Sequence, residues 1–426
     1  MIPLAQVAES REPRVERPPF STLNSGLTTP LQRPALVAAK AALRGIATAV
    51  VSLVAMEAHA MEPAGEAVKA GRFVYVSGTR PTDDKGRVVP GGIQAQSKRV
   101  LDRLGAALDS AGSSLAQAAS ITVYLRNASD FAAMNEVYRG YWSKDRPART
   151  TVVAPSMDPE ALVEMAAVAI ATGGERRVIH PEGWAASTAP YSYGILSGDT
   201  LFLAGLVSRS GKDNTPVAGD IKTQTQTVLD NGGEILRAAG MTHADVVYAR
   251  VYITDTALFQ EMNATYRTYF PKEPPARATV RAALMSPANV VEIAMVAVKG
   301  GSRQAVTTPN ADGSAGRANP NLSSAIRAGD RLYLAGMLGN TEATKGDAAA
   351  QTRETLARLG RTLEAAGFGW GHVVDGVVYV TDAKHREAVD RVWRERFPQR
   401  APASATVEVG LVAPDGLVEI MLTAVK

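Results

Sequence analysis

The chain has 426 residues, too many for one ordinary core and about right for three domains of roughly 130. Apolar residues make up 46% and charged residues 21%, which places most of it among soluble globular proteins. The net charge is +4, but residues 1–60 carry six Lys/Arg against four Asp/Glu, so the rest holds only +2, with no basic block or stripe for nucleic acid. The absence of cysteine excludes disulfides, thiolate nucleophiles and cysteine metal sites.

Residues 1–32 are rich in Pro, Arg, Glu, Ser and Thr without periodicity and are expected to be disordered. Arg33, Lys40 and Arg44 then precede an apolar run, Gly45–Met56, which ends in Glu57-Ala-His-Ala60. A basic segment, a 12-residue apolar core and an Ala-x-Ala site outline a secretory signal. The core is too short to span a bilayer comfortably, so no stable membrane anchor is expected after cleavage. A periplasmic or secreted protein follows; the alternative is a docking helix on a cytoplasmic one.

Beyond residue 60 the chain writes one unit three times. An apolar strand ends in Gly at Val74–Gly78, Leu201–Gly205 and Leu332–Gly336. A helix follows, with apolar residues at 3.6-residue spacing: Val100, Leu101, Leu104 and Leu108; Val228, Leu229, Ile235 and Leu236; Leu356, Leu359 and Leu363. Gly112, Gly240 and Gly367 stop it. An alternating strand comes next, carrying Tyr124, Tyr252 or Tyr379, read as packing residues. A second helix opens after Ser129-Asp130, Thr254-Asp255 or Thr381-Asp382. Two strands close the unit. The order is β-α-β-α-β-β, an α+β layer with helices on one face of a mixed sheet. The units span 61–171, 188–300 and 319–426, joined by Gly/Ser/Thr/Pro-rich linkers.

The closing strands carry the only promising chemistry. Pro147-Ala-Arg149, Pro275-Ala-Arg277 and Pro402-Ala-Ser404 repeat in register, as do Glu164, Glu292 and Glu419. Arginine offers a planar cationic fork matched to a carboxylate. A glutamate inside a β run such as Val290-Val-Glu292-Ile needs a partner or a held water, and such a carboxyl is suited to proton transfer. The bland alternatives are a solvated strand-start arginine and a glutamate on an exposed strand face. The five histidines (His59, His180, His243, His372 and His385) show no metal-ligand pairing, so no metal site is expected. No phosphate loop, nucleophile elbow or dinucleotide fingerprint occurs in context.

Pro-Ala-Arg-x-Thr-Val, a Glu 15 residues after the Arg, and Ser/Ala-Gly after the first strand together resemble the Rid (RidA/YjgF) family over nearly all the chain past residue 60. The resemblance implies a chorismate-mutase-like fold, here three tandem units packed as an intramolecular pseudo-trimer with sites between units. It implies cofactor-independent hydrolysis of imines or enamines of small carboxylates. Arg277 and Arg149 would hold the carboxylate, and Glu292 and Glu164 would orient water. Gly205 and Gly78 would present backbone groups, Tyr191 matches an early site tyrosine, Asn263 and Asn135 a site asparagine, and Thr279 and Thr151 a site threonine.

The third copy departs from this pattern with Ser404 for the arginine, Asp390 near the asparagine position and Asn321-Leu322 near the tyrosine, though it keeps Glu419. The second copy is the most complete. Three clefts then hold at most two of these arginines, and an arginine and its glutamate can come from different repeats. The expected partner is a small-molecule carboxylate, with no nucleic acid. The chain is expected to be a monomeric pseudo-trimer, with further self-association left open. The competing readings are a non-catalytic carboxylate binder or chaperone-like scaffold, and an endoribonuclease.

Overall fold

The computed structural model describes residues 67–300 and 303–426. The disordered stretch and secretory signal expected in residues 1–60 lie outside the described residues. The three repeats gather into one compact unit.

Each repeat follows one plan, and the second serves for all. A hairpin (Gly194–Ser197 and Thr200–Leu203) leads to a long helix (Ile221–Ala238) and a central strand (Val246–Ile253). A second helix (Phe259–Tyr269) returns the chain to a site strand (Ala276–Arg281), and a last strand (Val291–Val298) closes the unit. The central strand runs parallel to the site strand and antiparallel to the last strand, which in turn pairs with the hairpin. A parallel pair needs a long crossover, and the second helix supplies it. The corresponding central, site and last strands are Ala118–Leu125, Ala148–Val153 and Val163–Ile170 in repeat 1. In repeat 3 they are Val373–Val380, Ala403–Glu408 and Val418–Val425.

The β-α-β-α-β-β order needs one correction. Each repeat opens with an extra strand (Ala67–Ala70, Gly194–Ser197 or Ala325–Ala328) folded back onto the expected first one. These strands have only four residues, too few for alternation to show. Their turns were marked by Gly71, Gly198 and Gly329, which adopt φ of 56°, 55° and 64°. The linkers also hold structure: Arg177–Ile179 and Arg303–Val306 add edge strands to the hairpins that follow them.

The helix stops form as expected. Gly112, Gly240 and Gly367 take φ of 77°, 72° and 76°, and the next amide (Ser113, Met241 or Phe368) donates back to Leu108, Leu236 or Leu363 at 2.8–2.9 Å. At the second helix the capping residue sits one turn earlier than the helix proper. Asp255 and Asp382 accept the amides of Ala257 and Lys384 at 2.9 Å, opening a short 3₁₀ turn. Repeat 1 has Asn127 there, without a side-chain cap bond.

Period-two alternation of the central strands divides the core in two. Ile121, Val123 and Leu125, and likewise Val251 and Ile253 or Val378 and Val380, pack under the helices. Tyr124, Tyr252 and Tyr379 point the other way into one cluster shared by all three repeats, each fully buried. That shared cluster, with Ala278, Val280, Ala405 and Val407, is the heart of the intramolecular pseudo-trimer. Cross-repeat hydrogen bonds complete it: Gly205 N–H to the Arg149 carbonyl at 3.0 Å, Gly336 N–H to that of Arg277 at 3.2 Å, and Ser404 N–H to Ser77 Oγ at 3.1 Å. Each joins the start of one repeat to the site strand of another, and there the clefts lie.

Candidate active site

Because the site strand of one repeat abuts the first and last strands of another, neither site-strand arginine, Arg149 or Arg277, faces its own repeat's glutamate. Arg149 of repeat 1 lines a cavity of about 180 Å³ with Glu292, Gly205 and Tyr191 of repeat 2. Arg149 is 4% exposed and stacks on aromatic rings, 4.7 Å from Tyr138 and 6.0 Å from Tyr191. Burial lowers its pKa, and the guanidinium nonetheless stays charged. Its Nη1 is buried without a protein partner. A buried, unpaired cationic donor is costly unless an anion arrives, so the side chain is set for a ligand.

Across the cavity Glu292 is 5% exposed. Burial pushes its carboxyl up to about 8, against the Thr151 amide, which donates to Oε1 at 3.3 Å, and the Arg149 charge. The group is therefore a protonated acid at neutral pH and becomes a base once a proton acceptor has taken its proton. Tyr191 lines the same cavity and feels its charges: burial raises its phenol, a bond to Ser187 and the charge of Arg149 pull it down, Glu292 raises it, and Arg209 lowers it.

The second cleft repeats the arrangement with Arg277 of repeat 2 and Glu419 of repeat 3. Arg277 is 1% exposed, donates from Nη2 to Asn263 Oδ1 at 2.6 Å and lies 4.5 Å from the Tyr266 ring. Its Nε and Nη1, Thr279 Oγ and Glu419 Oε2 are all buried without partners. Burial raises Glu419 to about 8, opposed by Arg277. Thus Arg277 and Glu292, neighbours in sequence, serve different clefts, and repeat 3, which reads as degenerate, supplies the glutamate opposite Arg277. Leu322 takes the tyrosine position: Ser323 meets the backbone of Pro274-Pro275 as Ser192 meets Pro147.

The third cleft joins Ser404 to Glu164 and Gly78 of repeat 1. Ser404 offers no cation, and Glu164 is engaged by the Ser156 hydroxyl. The positions equivalent to Ser156, seven residues past each arginine or serine, are Leu284 and Leu411. Arg80 approaches Glu164 and pairs with Asp158 at 3.4 Å, while Arg386 pairs with Asp390 at 3.3 Å. Burial still holds Glu164 above the usual carboxylate range. This cleft lacks the buried arginine that marks the other two.

The glycine after the first strand has a steric reason in all three clefts. A methyl group at Gly205 would overlap Glu292 Oε1 and come within 3.1 Å of Thr150 Cα; Gly78 and Gly336 would strike Glu164 and Glu419 likewise. Gly205→Ala is therefore expected to displace the Glu292 carboxyl, costing about 1–3 kcal/mol of stability. A thermal melt measures the loss, and an unchanged melting temperature would contradict the packing described.

Asn263 accepts a hydrogen bond from Arg277, whereas Asn135 Oδ1 is buried without a partner and makes no bond to Arg149. Sequence reasoning missed the aromatic faces under the arginines, although Tyr138 and Tyr266 follow the asparagines by three positions, the spacing of one helix face. It also missed Arg209, Asn214 and Asn289, which line the first cavity from loops without periodicity.

Comparison with known proteins agrees with this architecture. The family model described as Endoribonuclease L-PSP matches three times, over residues 55–171, 184–299 and 314–426. A RutC family protein of Sulfurisphaera tokodaii is 41% identical over 111 residues, 26% of this chain and 89% of the relative. One of Pyrococcus abyssi is 42% identical over 108 residues, 25% of this chain and 85% of the relative. Among solved structures, the YjgF gene product of E. coli is 29% identical, covering 29% of this chain and 99% of that one, at a TM-score of 0.28. RidA from the Antarctic bacterium Psychrobacter is 28% identical, covering 29% and 98%, at a TM-score of 0.27. With three matches of the family model in tandem, the chain belongs to the Endoribonuclease L-PSP family, the family of RidA, YjgF and RutC proteins.

Proposed function

We propose that the protein is a cofactor-independent hydrolase of an imine or enamine of a small carboxylate, working in the Arg149–Glu292 cleft and, as a second site, in the Arg277–Glu419 cleft. The observation that carries this reading is a buried arginine with an unpaired donor facing a carboxyl held up to about 8. Arg149 binds the substrate carboxylate and so fixes the imine carbon against the acid, which replaces a bimolecular encounter by a positioned one. Glu292 enters protonated and gives its proton to the imine nitrogen. The resulting carboxylate takes a proton from water as the oxygen attacks carbon, forming a carbinolamine. Glu292 then protonates the nitrogen again, the C–N bond breaks, and the hydroxyl proton returns to Glu292. Imine and water become oxo acid and ammonia, with the acid regenerated.

A long RNA fits this site less well, because Arg149 is 4% exposed inside a cavity of about 180 Å³. The test is ammonia release from imines generated in situ by an amino-acid oxidase, alongside cleavage of a labelled RNA. Acceleration of imine hydrolysis supports the proposal. RNA cleavage without it, or binding of carboxylates without turnover, would favour the endoribonuclease or the binder instead.

We further propose that the chain is exported on its N-terminal segment, supported by the basic, apolar and Ala-x-Ala order of residues 33–60. Cell fractionation with N-terminal sequencing is expected to give a mature chain starting after Ala60 outside the cytoplasm. A full-length chain in the cytosol would contradict this.

A further inference from the structure

The Arg149 cavity contains a second guanidinium, that of Arg209. It lies four residues past Gly205, where the other repeats have Thr82 and Asn340, so this cation is peculiar to one cleft. Arg209 is anchored: Nε donates to Asn214 Oδ1 at 2.8 Å, Nη2 donates to the Asn214 carbonyl, and its own carbonyl accepts from Asn231 Nδ2 at 2.6 Å. Those bonds leave Nη1 without a protein partner, and among the described residues no carboxylate lies within ion-pair distance of it. Asn214 is buried and pairs Arg209 through neutral oxygens only, so the positive charge is held in place without being neutralised.

We propose that this cleft selects a small dianion, a substrate with two carboxylates: Arg149 takes the one beside the reactive carbon, and Arg209 takes the distal one. This rests on the hydrolase reading for its chemistry but adds a substrate class to it. Among the described residues Glu292 is the only acidic one lining the cavity, and burial holds its proton on at neutral pH, so the lining carries two positive charges. A monoanion leaves one of them unmatched. The cavity, at about 180 Å³, falls below the roughly 300–1,000 Å³ of pockets for drug-sized ligands, so the dianion is short, of a few carbons. Tyr191, whose phenol feels Arg149, Glu292 and Arg209 together, lines the same small cavity as both cations.

The test has two arms on the full chain. In the first, calorimetry compares stable acids: oxaloacetate and 2-oxoglutarate against pyruvate and 2-oxobutyrate. In the second, turnover compares imines made in situ from aspartate or glutamate with those from alanine or 2-aminobutyrate. With the second cleft silenced by Arg277→Met, the chain is expected to favour the dicarboxylates at least tenfold in both arms. Arg209→Gln, which keeps a hydrogen-bonding side chain for Asn214 but removes the charge, is expected to collapse that ratio by tenfold or more. Arg209→Lys is expected to restore part of it. In that Arg277→Met background, equal preference with Arg209 intact, or a preference that survives Arg209→Gln, overturns the dianion proposal. If binding shows the dicarboxylate preference while no imine is turned over, the hydrolase reading fails and the dianion site stands. If imines are hydrolysed without preference, the reverse holds.

Discussion

Arg149→Met is expected to lower the kcat/KM of its own cleft for imine hydrolysis, read against Arg277→Met as the parent, by about 30- to 5,000-fold, the equivalent of about 2–5 kcal/mol for removing one partner of a desolvated, charge-assisted pair. Methionine preserves much of the volume against Tyr138 and Tyr191, so the fold should hold and melting should shift little. Arg149→Lys should restore little of the loss, since an ammonium cannot present the planar fork and stacks less well on the rings. What activity survives is that of the Arg277–Glu419 cleft. Adding Arg277→Met should remove it, while Arg277→Met alone should leave the Arg149 cleft working. Steady-state kinetics on the three variants decides the matter. Undiminished turnover in the double variant would sink the hydrolase reading.

Glu292→Gln is expected to reduce turnover in the same cleft by about 10²- to 10⁴-fold, the usual scale of a lost general acid–base. It should also make the protein more stable at alkaline pH, and the sign follows from the proton balance. The folded carboxyl titrates near 8 and its unfolded counterpart near 4.5. Between those values the native state keeps a proton that the unfolded chain has released, so stability falls as pH rises through the window and the loss is complete above about 8. A glutamine has no proton to lose. The variant's advantage in melting temperature should therefore be small near pH 5, grow toward pH 8.5 and level off, reaching on the order of a few kcal/mol. Glu419 in the second cleft should behave alike, as burial holds it near 8 too. A flat difference across pH would mean that Glu292 is ionised in the resting protein, which would remove the acid from the mechanism.

How much of this was legible in the sequence depends on range. The triplication was readable because its landmarks recur in register, and the long helices and alternating central strands because they follow periods of 3.6 and 2 over eight or more residues. The four-residue opening strands and the edge strands within the linkers were not, because so short a segment is decided by the strand it pairs with. Arg149, Arg277, Glu292 and Gly205 could be singled out by their repetition in register. Their pairing could not, since Arg277 and Glu292 are 15 residues apart and Arg149 and Glu292 are 143 apart, yet it is the distant pair that shares a cavity. That choice is made by the packing of whole repeats around Tyr124, Tyr252 and Tyr379. The same packing gives the third copy a purpose that its Ser404 conceals: it contributes Glu419 and Gly336 to the cleft of Arg277. Arg209 carried no signal at all, for it sits in a loop and does not recur in the other copies.

The central claim is that a working cleft takes its arginine from one repeat and its carboxyl from another. A crystal structure of the protein soaked with a 2-oxo acid, the product of the proposed reaction, tests it directly. The account predicts the acid's carboxylate on the Arg149 guanidinium and its carbonyl oxygen facing Glu292, with Glu164 remote from it. A ligand held between Arg149 and Glu164 of the same repeat, or an Arg149 cavity left empty at saturating oxo acid, would contradict it.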